Sequence, residues 1–192
     1  MSISLSKGQT ISLDKPSGPR LTRAHMGLGW DAAKVRGFLG RMKEQEIDLD
    51  ASCLAYDADN RLVDQVWFQQ LRSQDGAIVH TGDNRTGAGD GDDESIIVDL
   101  TAVNPGIATL VFVVNSFSGE NFSQIENAFC RIVDLSTGSE IARVDLSGSG
   151  QHTAQIMAKL VRTPTGWDFA AIGERANGRT IRDLLPAIQA IL

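Results

Sequence analysis

The chain has 192 residues, of which 42% are hydrophobic and 22% are charged, and its formal net charge is −6. A chain of this size and composition can bury a core of its own, so we expect a single domain over residues 1–192. It has no run of about 18 consecutive apolar residues, and its start lacks the basic and apolar segments of a signal peptide. We therefore expect a cytoplasmic protein that is not an integral membrane protein.

The charges are segregated along the chain. Residues 46–145 carry five basic and 18 acidic residues, which gives this middle part a net charge of −13 between two basic flanks. A surface this negative repels phosphate backbones and attracts cations. The charge pattern therefore argues against nucleic acid as a partner.

Short alternating or apolar runs between turn residues predict strands through most of the chain. In chain order, they cover residues 9–13, 47–56, 62–68, 95–100, 109–114, 127–134, 140–146, 155–162 and 167–172. Nine or more strands at this spacing favour antiparallel sheets, and a β-sandwich is the simplest architecture that buries them. The predicted fold is all-β, an antiparallel β-sandwich with one or two short helices.

Two segments have helical features. Residues 32–46 are rich in Lys, Arg, Met and Glu but are interrupted by two glycines, so a short helix and an ordered loop both stay open. Apolar residues recur at helical spacing after Thr180, a candidate N-cap with Asp183 three residues further on. Pro186 removes a backbone donor from this C-terminal helix and is expected to kink it or restart it.

The two cysteines, Cys53 and Cys130, lie far apart, and each falls inside an apolar run. No Cys-x-x-Cys spacing is present. We therefore expect buried free thiols instead of a zinc site or a disulfide.

The most informative passage is residues 80–94, which combine five carboxylates and four glycines. Two carboxylates about 4 Å apart repel by roughly 4 kcal/mol at an effective dielectric near 20, so a compact loop of this kind needs a cation. Calcium takes 6–8 oxygen ligands, and glycines allow a loop to turn its carbonyls toward the ion. Asp83 and Glu94 are the first and last residues of a twelve-residue span, the length of an EF-hand loop, but Arg85 and Gly87 at its third and fifth places rule out an EF-hand. An extended, solvated loop is the alternative.

A second acidic element lies in residues 47–55, where strand alternation places Asp48, Asp50 and Ser52 on one face. Paired carboxylates on a strand can complete the coordination of an ion that a loop alone cannot saturate. The alternative is an ordinary solvated face. Asp31 is a candidate third contributor.

These residues carry a resemblance. Gly-Leu-Gly-Trp-Asp at residues 27–31, Asp-Leu-Asp-Ala-Ser at 48–52 and the acidic motif at 82–94 resemble, in order and spacing, the TerD family of bacterial tellurium-resistance and stress proteins. The last third of the chain is most similar to the TerZ branch of that family. The resemblance covers nearly the whole chain and implies a calcium-binding β-sandwich.

The resemblance also implies that the acidic loop and the Asp-Leu-Asp strand supply ligands for two neighbouring calcium ions. The candidate ligands are Asp31, Asp48, Asp50, Asp83, Asn84, Gly89, Asp90, Asp92, Asp93 and Glu94. One departure from the family is the long basic stretch at residues 32–43, where many members have a short loop. That stretch bears on the role of Asp31, which lies directly before it.

The resemblance points to tellurite resistance and stress response but does not settle a molecular activity, because the family is named for a phenotype. We expect a calcium-dependent binding or interaction module without enzymatic activity, since no nucleophile and base pair accompanies the acids. Other tellurium-resistance proteins are candidate partners, and the number of subunits stays open. The alternative is a metal-dependent hydrolase, with His80 as acid or base and Arg85 on a phosphate. Magnesium sites use one or two protein carboxylates, whereas this loop offers many more.

Overall fold

The computed structural model describes residues 10–12, 21–31, 33–36, 42–45, 47–82, 91–147 and 149–192. Thirteen strands and one helix lie in these ranges. In chain order they are β1 (Thr10–Ser12), β2 (Arg23–Asp31), β3 (Ala33–Arg36), β4 (Met42–Gln45), β5 (Leu49–Tyr56), β6 (Leu62–Val66), β7 (Ile78–His80), β8 (Glu94–Asp99), β9 (Thr109–Ser116), β10 (Glu126–Asp134), β11 (Ser139–Asp145), β12 (Ala154–Arg162), β13 (Trp167–Ala176) and α1 (Ile181–Gln189).

Two antiparallel sheets form the body of the fold. The six-stranded sheet has the order β1-β13-β12-β9-β5-β6, and the five-stranded sheet has the order β11-β10-β2-β8-β7. Inward residues such as Met26, Leu28, Leu49 and Phe112 pack in the main hydrophobic core. The predicted all-β fold with a C-terminal helix is therefore confirmed.

The six-stranded sheet is covered on its outer face as well. Leu54, Val111 and Ile156 project from this face and pack with Leu184 and Ile188 of α1 in a second apolar cluster. Every residue of β5 and β9 is buried. Burial on both faces explains why these strands contain long apolar runs.

The helix α1 begins after Thr180, as the sequence predicts. The Asp183 carboxylate accepts hydrogen bonds from the backbone N–H groups of Thr180 and Arg179, at 3.0 and 2.9 Å. These bonds satisfy two donors that have no partner within the helix. The helix runs through Pro186 as one element, so the proline does not restart it.

Both alternatives for residues 32–46, a short helix and an ordered loop, are wrong for the parts of the segment that the structure describes, residues 33–36 and 42–45. Within this segment the structure describes β3 and β4, which pair antiparallel. Each of the two glycines in the segment disfavours a helix by roughly 1 kcal/mol, which the good helix formers around them do not offset. Two strands that the sequence analysis did not predict, β2 and β7, belong to the five-stranded sheet.

Both cysteines are buried and free, as expected. Burial raises the pKa of Cys130 to about 12, and the pKa of Cys53 is raised for the same reason. Thiolates are therefore strongly disfavoured at both positions. Among the described residues, no helix is long and apolar enough to cross a membrane.

Candidate metal site

Residues 91–94, here called the acidic segment, cross the five-stranded sheet beside the glycines of β2. A side chain at Gly27 would collide with the Asp92 carboxylate, and one at Gly29 would collide with the Gly91 carbonyl and the Phe129 ring. The missing side chains leave room for the acidic segment on the sheet. The two glycines of the Gly-Leu-Gly sequence therefore allow the acidic segment to pack directly against β2.

Asp93 extends the pairing between β2 and β8. Its backbone N–H donates to the Leu28 carbonyl at 2.8 Å, and its carboxylate accepts the Trp30 N–H at 3.0 Å. Burial raises the pKa of Asp93; the Trp30 hydrogen bond opposes this shift, and the charges of Asp31 and Asp92 add to it. Burial is therefore the main cause of the raised pKa, and repulsion from the two neighbouring acids is a smaller contribution.

Asp92 is held by Arg131 of β10. Arg131 Nε and Nη2 each donate to the Asp92 carboxylate at 2.9 Å, which makes the pair bidentate. This hydrogen bonding is the main cause of a raised pKa at Arg131. His25 Nε2 lies 3.6 Å from the same carboxylate. Burial lowers the pKa of His25, against the effect of Asp92.

Glu94 reaches from β8 to the other sheet. Its side chain is fully buried, and its Oε2 accepts the backbone N–H of Ala51 at 2.7 Å. His80 Nδ1 accepts the Gly82 N–H at 3.1 Å, so Nε2 carries the ring proton. That Nε2 lies 3.4 Å from Glu94 Oε2. Glu94 therefore links the end of the acidic segment to the Asp-Leu-Asp strand.

Asp48 and Asp50 lie at the beginning of that strand. Asp48 precedes β5, and its backbone N–H donates to Ser118 Oγ at 3.0 Å. Asp50 is only 3% exposed, and its Oδ2 accepts a hydrogen bond from Asn115 Nδ2 at 3.0 Å. The alternative of a solvated face is therefore wrong for Asp50, because the outer face of this sheet is covered near its end.

The side-chain amide of Asn115 has an oxygen without a hydrogen-bond partner among the described residues. Its Nδ2 donates to Asp50 and to the Arg179 carbonyl, two acceptors that fix the orientation of the amide. Its Oδ1 is buried and has no hydrogen-bond partner among the described residues. A buried amide oxygen is normally satisfied. Asn115 Oδ1 is therefore a candidate metal ligand beside Asp50.

The described part of the chain thus brings several predicted site residues close to one another. Asp93 lies near Asp31 and Asp92, and Glu94 contacts the backbone next to Asp50. Asp31 is exposed and accepts a hydrogen bond from Asn127 Nδ2 at 2.6 Å. The predicted ligands Asp83, Asn84, Gly89 and Asp90 lie outside the described residues.

Within the described ranges, no three His, Cys, Asp or Glu side chains form a group that could hold a metal ion. Amide, backbone or loop oxygens are therefore needed to complete any site here. Asn115 is not among the predicted ligands, and the hydrogen bonds of Arg131 to Asp92 are not predicted from the sequence. A polar residue in the apolar run of β9 was the available signal for Asn115, whereas nothing in the sequence pairs Arg131 with Asp92.

We expect the Arg131→Met substitution to lower the free energy of unfolding by about 1–2 kcal/mol, because it leaves the mostly buried Asp92 carboxylate without its bidentate donor. Arg131→Lys should restore only part of this loss, since an ammonium group cannot form the two parallel bonds. Urea denaturation in chelator measures both variants.

The matched control is Arg61→Met, which removes an arginine from an exposed pair with Asp59. We expect this control to change the free energy of unfolding by less than about 0.5 kcal/mol. Equal effects at Arg131 and Arg61 would show that the Asp92 contact does not hold the acidic segment.

The fold is an antiparallel β-sandwich, and carboxylates of the acidic segment pack against a glycine-containing strand. Together these features define an all-β protein with an acidic candidate metal site. The model of the TerD domain matches residues 1–186. The chain belongs to the TerD family.

Relatives from several bacteria support the assignment. Tellurium resistance protein TerZ of Serratia marcescens is 47% identical over 184 residues, which cover 95% of this chain and 94% of that protein. General stress protein 16U of Bacillus subtilis is 40% identical over 190 residues, 95% of each chain. The resemblance to the TerD family and its TerZ branch is thus confirmed.

Solved structures agree on the fold. The crystal structure of a homologue of telluride resistance protein (TerD) from Streptomyces coelicolor has a TM-score of 0.72 to this chain. The match covers 84% of this chain and 94% of that one at 24% sequence identity. At this identity the likeness shows the fold alone.

Proposed function

We propose that this chain binds calcium where the acidic segment meets the beginning of β5, and that it acts as a calcium-dependent binding module in tellurium resistance and stress tolerance. The observation that carries the proposal is the buried contact between Glu94 and the Ala51 N–H, at 2.7 Å. It ties the end of the acidic loop to the strand that bears Asp50. The two acidic elements of the sequence are therefore parts of one region.

The donor chemistry fits calcium. The candidate ligands are oxygen atoms, and the buried Oδ1 of Asn115 supplies a neutral oxygen beside the Asp50 carboxylate. Calcium prefers 6–8 such oxygens and tolerates irregular geometry. We propose that Asp48, Asp50, Asn115 and the loop residues Asp83, Asn84, Gly89 and Asp90 supply them, with Asp31 and the acidic segment alongside.

A hydrolase is the less favoured alternative. His80, its proposed acid or base, is 3% exposed, and its two ring nitrogens face the Gly82 N–H and the Glu94 carboxylate. A general base must come within hydrogen-bond reach of the substrate. We therefore propose a cytoplasmic protein without enzymatic activity, with other tellurium-resistance proteins as candidate partners.

We expect calorimetric titration to show calcium binding that millimolar magnesium does not abolish. Asp50→Asn should weaken calcium binding by about tenfold or more, because it removes a carboxylate ligand while nearly preserving its shape. A bound ion at about 100 times its dissociation constant adds roughly 2.7 kcal/mol, so calcium should also raise the melting temperature.

Asp59→Asn is the matched control, because Asp59 lies on the surface in the turn between β5 and β6. It should bind calcium like the unchanged chain. In cells that depend on this protein for tellurite tolerance, Asp50→Asn should fail to restore growth where Asp59→Asn succeeds. Identical melting curves in calcium and in chelator would refute the proposal, and metal-dependent phosphoester turnover would favour the hydrolase.

A further inference from the structure

A cleft of about 460 Å³ opens between the two sheets, away from the acidic segment. Its lining includes the apolar residues Val144, Met157 and Ala171, here called the apolar floor, and the polar residues Ser149, Gln155 and Arg175. Sites for small molecules in proteins typically have volumes of about 300–1,000 Å³ and combine an apolar lining with a few polar groups. The cleft has both properties.

A β-bulge in β12 shapes the floor. The register of β12 shifts between Ile156 and Ala158 against both of its neighbours. The residue between them, Met157, packs in the main core. Bulges re-aim side chains and commonly lie beside functional sites. Beyond this bulge, the paired residues Gln155 and Arg175 line the cleft with polar groups.

Arg175 is the basic group that lines the cleft, and it is exposed. Within the described part of the chain, its guanidinium makes no hydrogen bond and no ion pair. The acids that line the cleft are engaged: Asp145 Oδ1 lies 3.9 Å from Arg143 Nε, and Glu174 has an interaction partner. Among the charged groups that line the cleft, Arg175 is therefore the one without a partner in the described residues.

His152 does not add a second positive charge. Its Nε2 lies 3.2 Å from Gln155 Oε1, an acceptor, so Nε2 carries the proton. Burial lowers the pKa of His152; the Gln155 hydrogen bond opposes this shift, and the charge of Arg175 adds to it. A neutral imidazole beside one arginine suits a ligand with a single negative charge.

We propose that this cleft binds a small amphipathic carboxylate, with its carboxylate on Arg175 and its apolar chain against Val144, Met157 and Ala171. A guanidinium matches a carboxylate in planar, bidentate geometry. A single arginine balances one negative charge, whereas a phosphate dianion would call for more donors. The cleft is separate from the proposed calcium site, because none of its named lining residues is among the proposed calcium ligands.

Octanoate, octanol and acetate form a matched set of probes, because octanol lacks the charge and acetate lacks the chain. We expect calorimetry or NMR titration of the full chain to show saturable binding of octanoate. Octanol should bind at least about tenfold more weakly, since the charged hydrogen bonds to Arg175 are lost. Acetate should show no saturable binding, because it cannot cover the apolar floor.

Arg175→Gln should remove the preference for octanoate over octanol. Arg72→Gln, the same change at an exposed arginine outside the cleft, should keep that preference. Ala171→Leu fills the floor and should weaken the binding of both eight-carbon probes. Absence of saturable octanoate binding, or an unchanged preference in the folded Arg175→Gln variant, would overturn the proposal.

Discussion

Substitution of Glu94 by alanine should lower the free energy of unfolding in chelator by about 3 kcal/mol. The change removes a buried carboxylate that accepts the Ala51 N–H and faces His80 Nε2. Hydrogen bonds to charged groups contribute about 1.5–3 kcal/mol, and the deleted side chain leaves a cavity as well. Chemical denaturation of both proteins, with the metal removed, measures the difference.

The matched control is Glu126→Ala, because Glu126 is an exposed carboxylate at the beginning of β10. Its effect should stay within about 0.5 kcal/mol, as for most surface changes. Repeating both measurements in calcium separates the structural role of Glu94 from ion binding. An effect of Glu94→Ala below about 1 kcal/mol in chelator would contradict the anchoring role.

Gly29→Ala should destabilise the fold by about 1–3 kcal/mol and weaken calcium binding by about tenfold. The added methyl group would collide with the Gly91 carbonyl, which is backbone, and with the Phe129 ring. Overpacking of this kind costs about 1–3 kcal/mol, and relief of the collision would displace the acidic segment. Urea denaturation and calorimetric titration report the two effects separately.

Gly106→Ala is the control for this substitution, because the nearest atom to its added methyl group is a side-chain oxygen of Asn104 at 3.2 Å. Its calcium affinity should equal that of the unchanged chain. If Gly29→Ala folds with unaltered stability, the glycine is not required for the acidic segment to pack against β2. A loss of stability with normal calcium affinity would show that calcium binding does not depend on the position of the acidic segment beside β2.

The sequence predicts the strands with regular apolar spacing well. All nine predicted strand segments contain strands of the structure, because alternation and turn residues act locally. The sequence does not predict β2, because the glycines that make room for the acidic segment interrupt the apolar pattern of this largely buried strand. The same residues that serve the candidate site therefore hide the strand that carries it.

The sequence predicts the acidic residues of the candidate site but not the residues that hold them in place. Carboxylates are visible in a sequence as a cluster, whereas the groups that hold them come from distant strands. Arg131 is 39 residues from Asp92, and they meet because β10 and β8 both flank β2. Single-residue reasoning cannot supply this pairing, since it depends on the order of strands in the sheet.

The contact of Glu94 with β5 also bears on whether the end of this strand can pair with a strand of another molecule. The strand β6 first pairs with β5 at Cys53, so the Ala51 N–H lies beyond the end of its neighbour. An exposed donor at such a place invites a strand from another molecule. The Glu94 carboxylate occupies this donor and offers no backbone for a further strand to follow. A side chain from the opposite sheet thus protects this position against the edge-to-edge association from which fibrous aggregates grow.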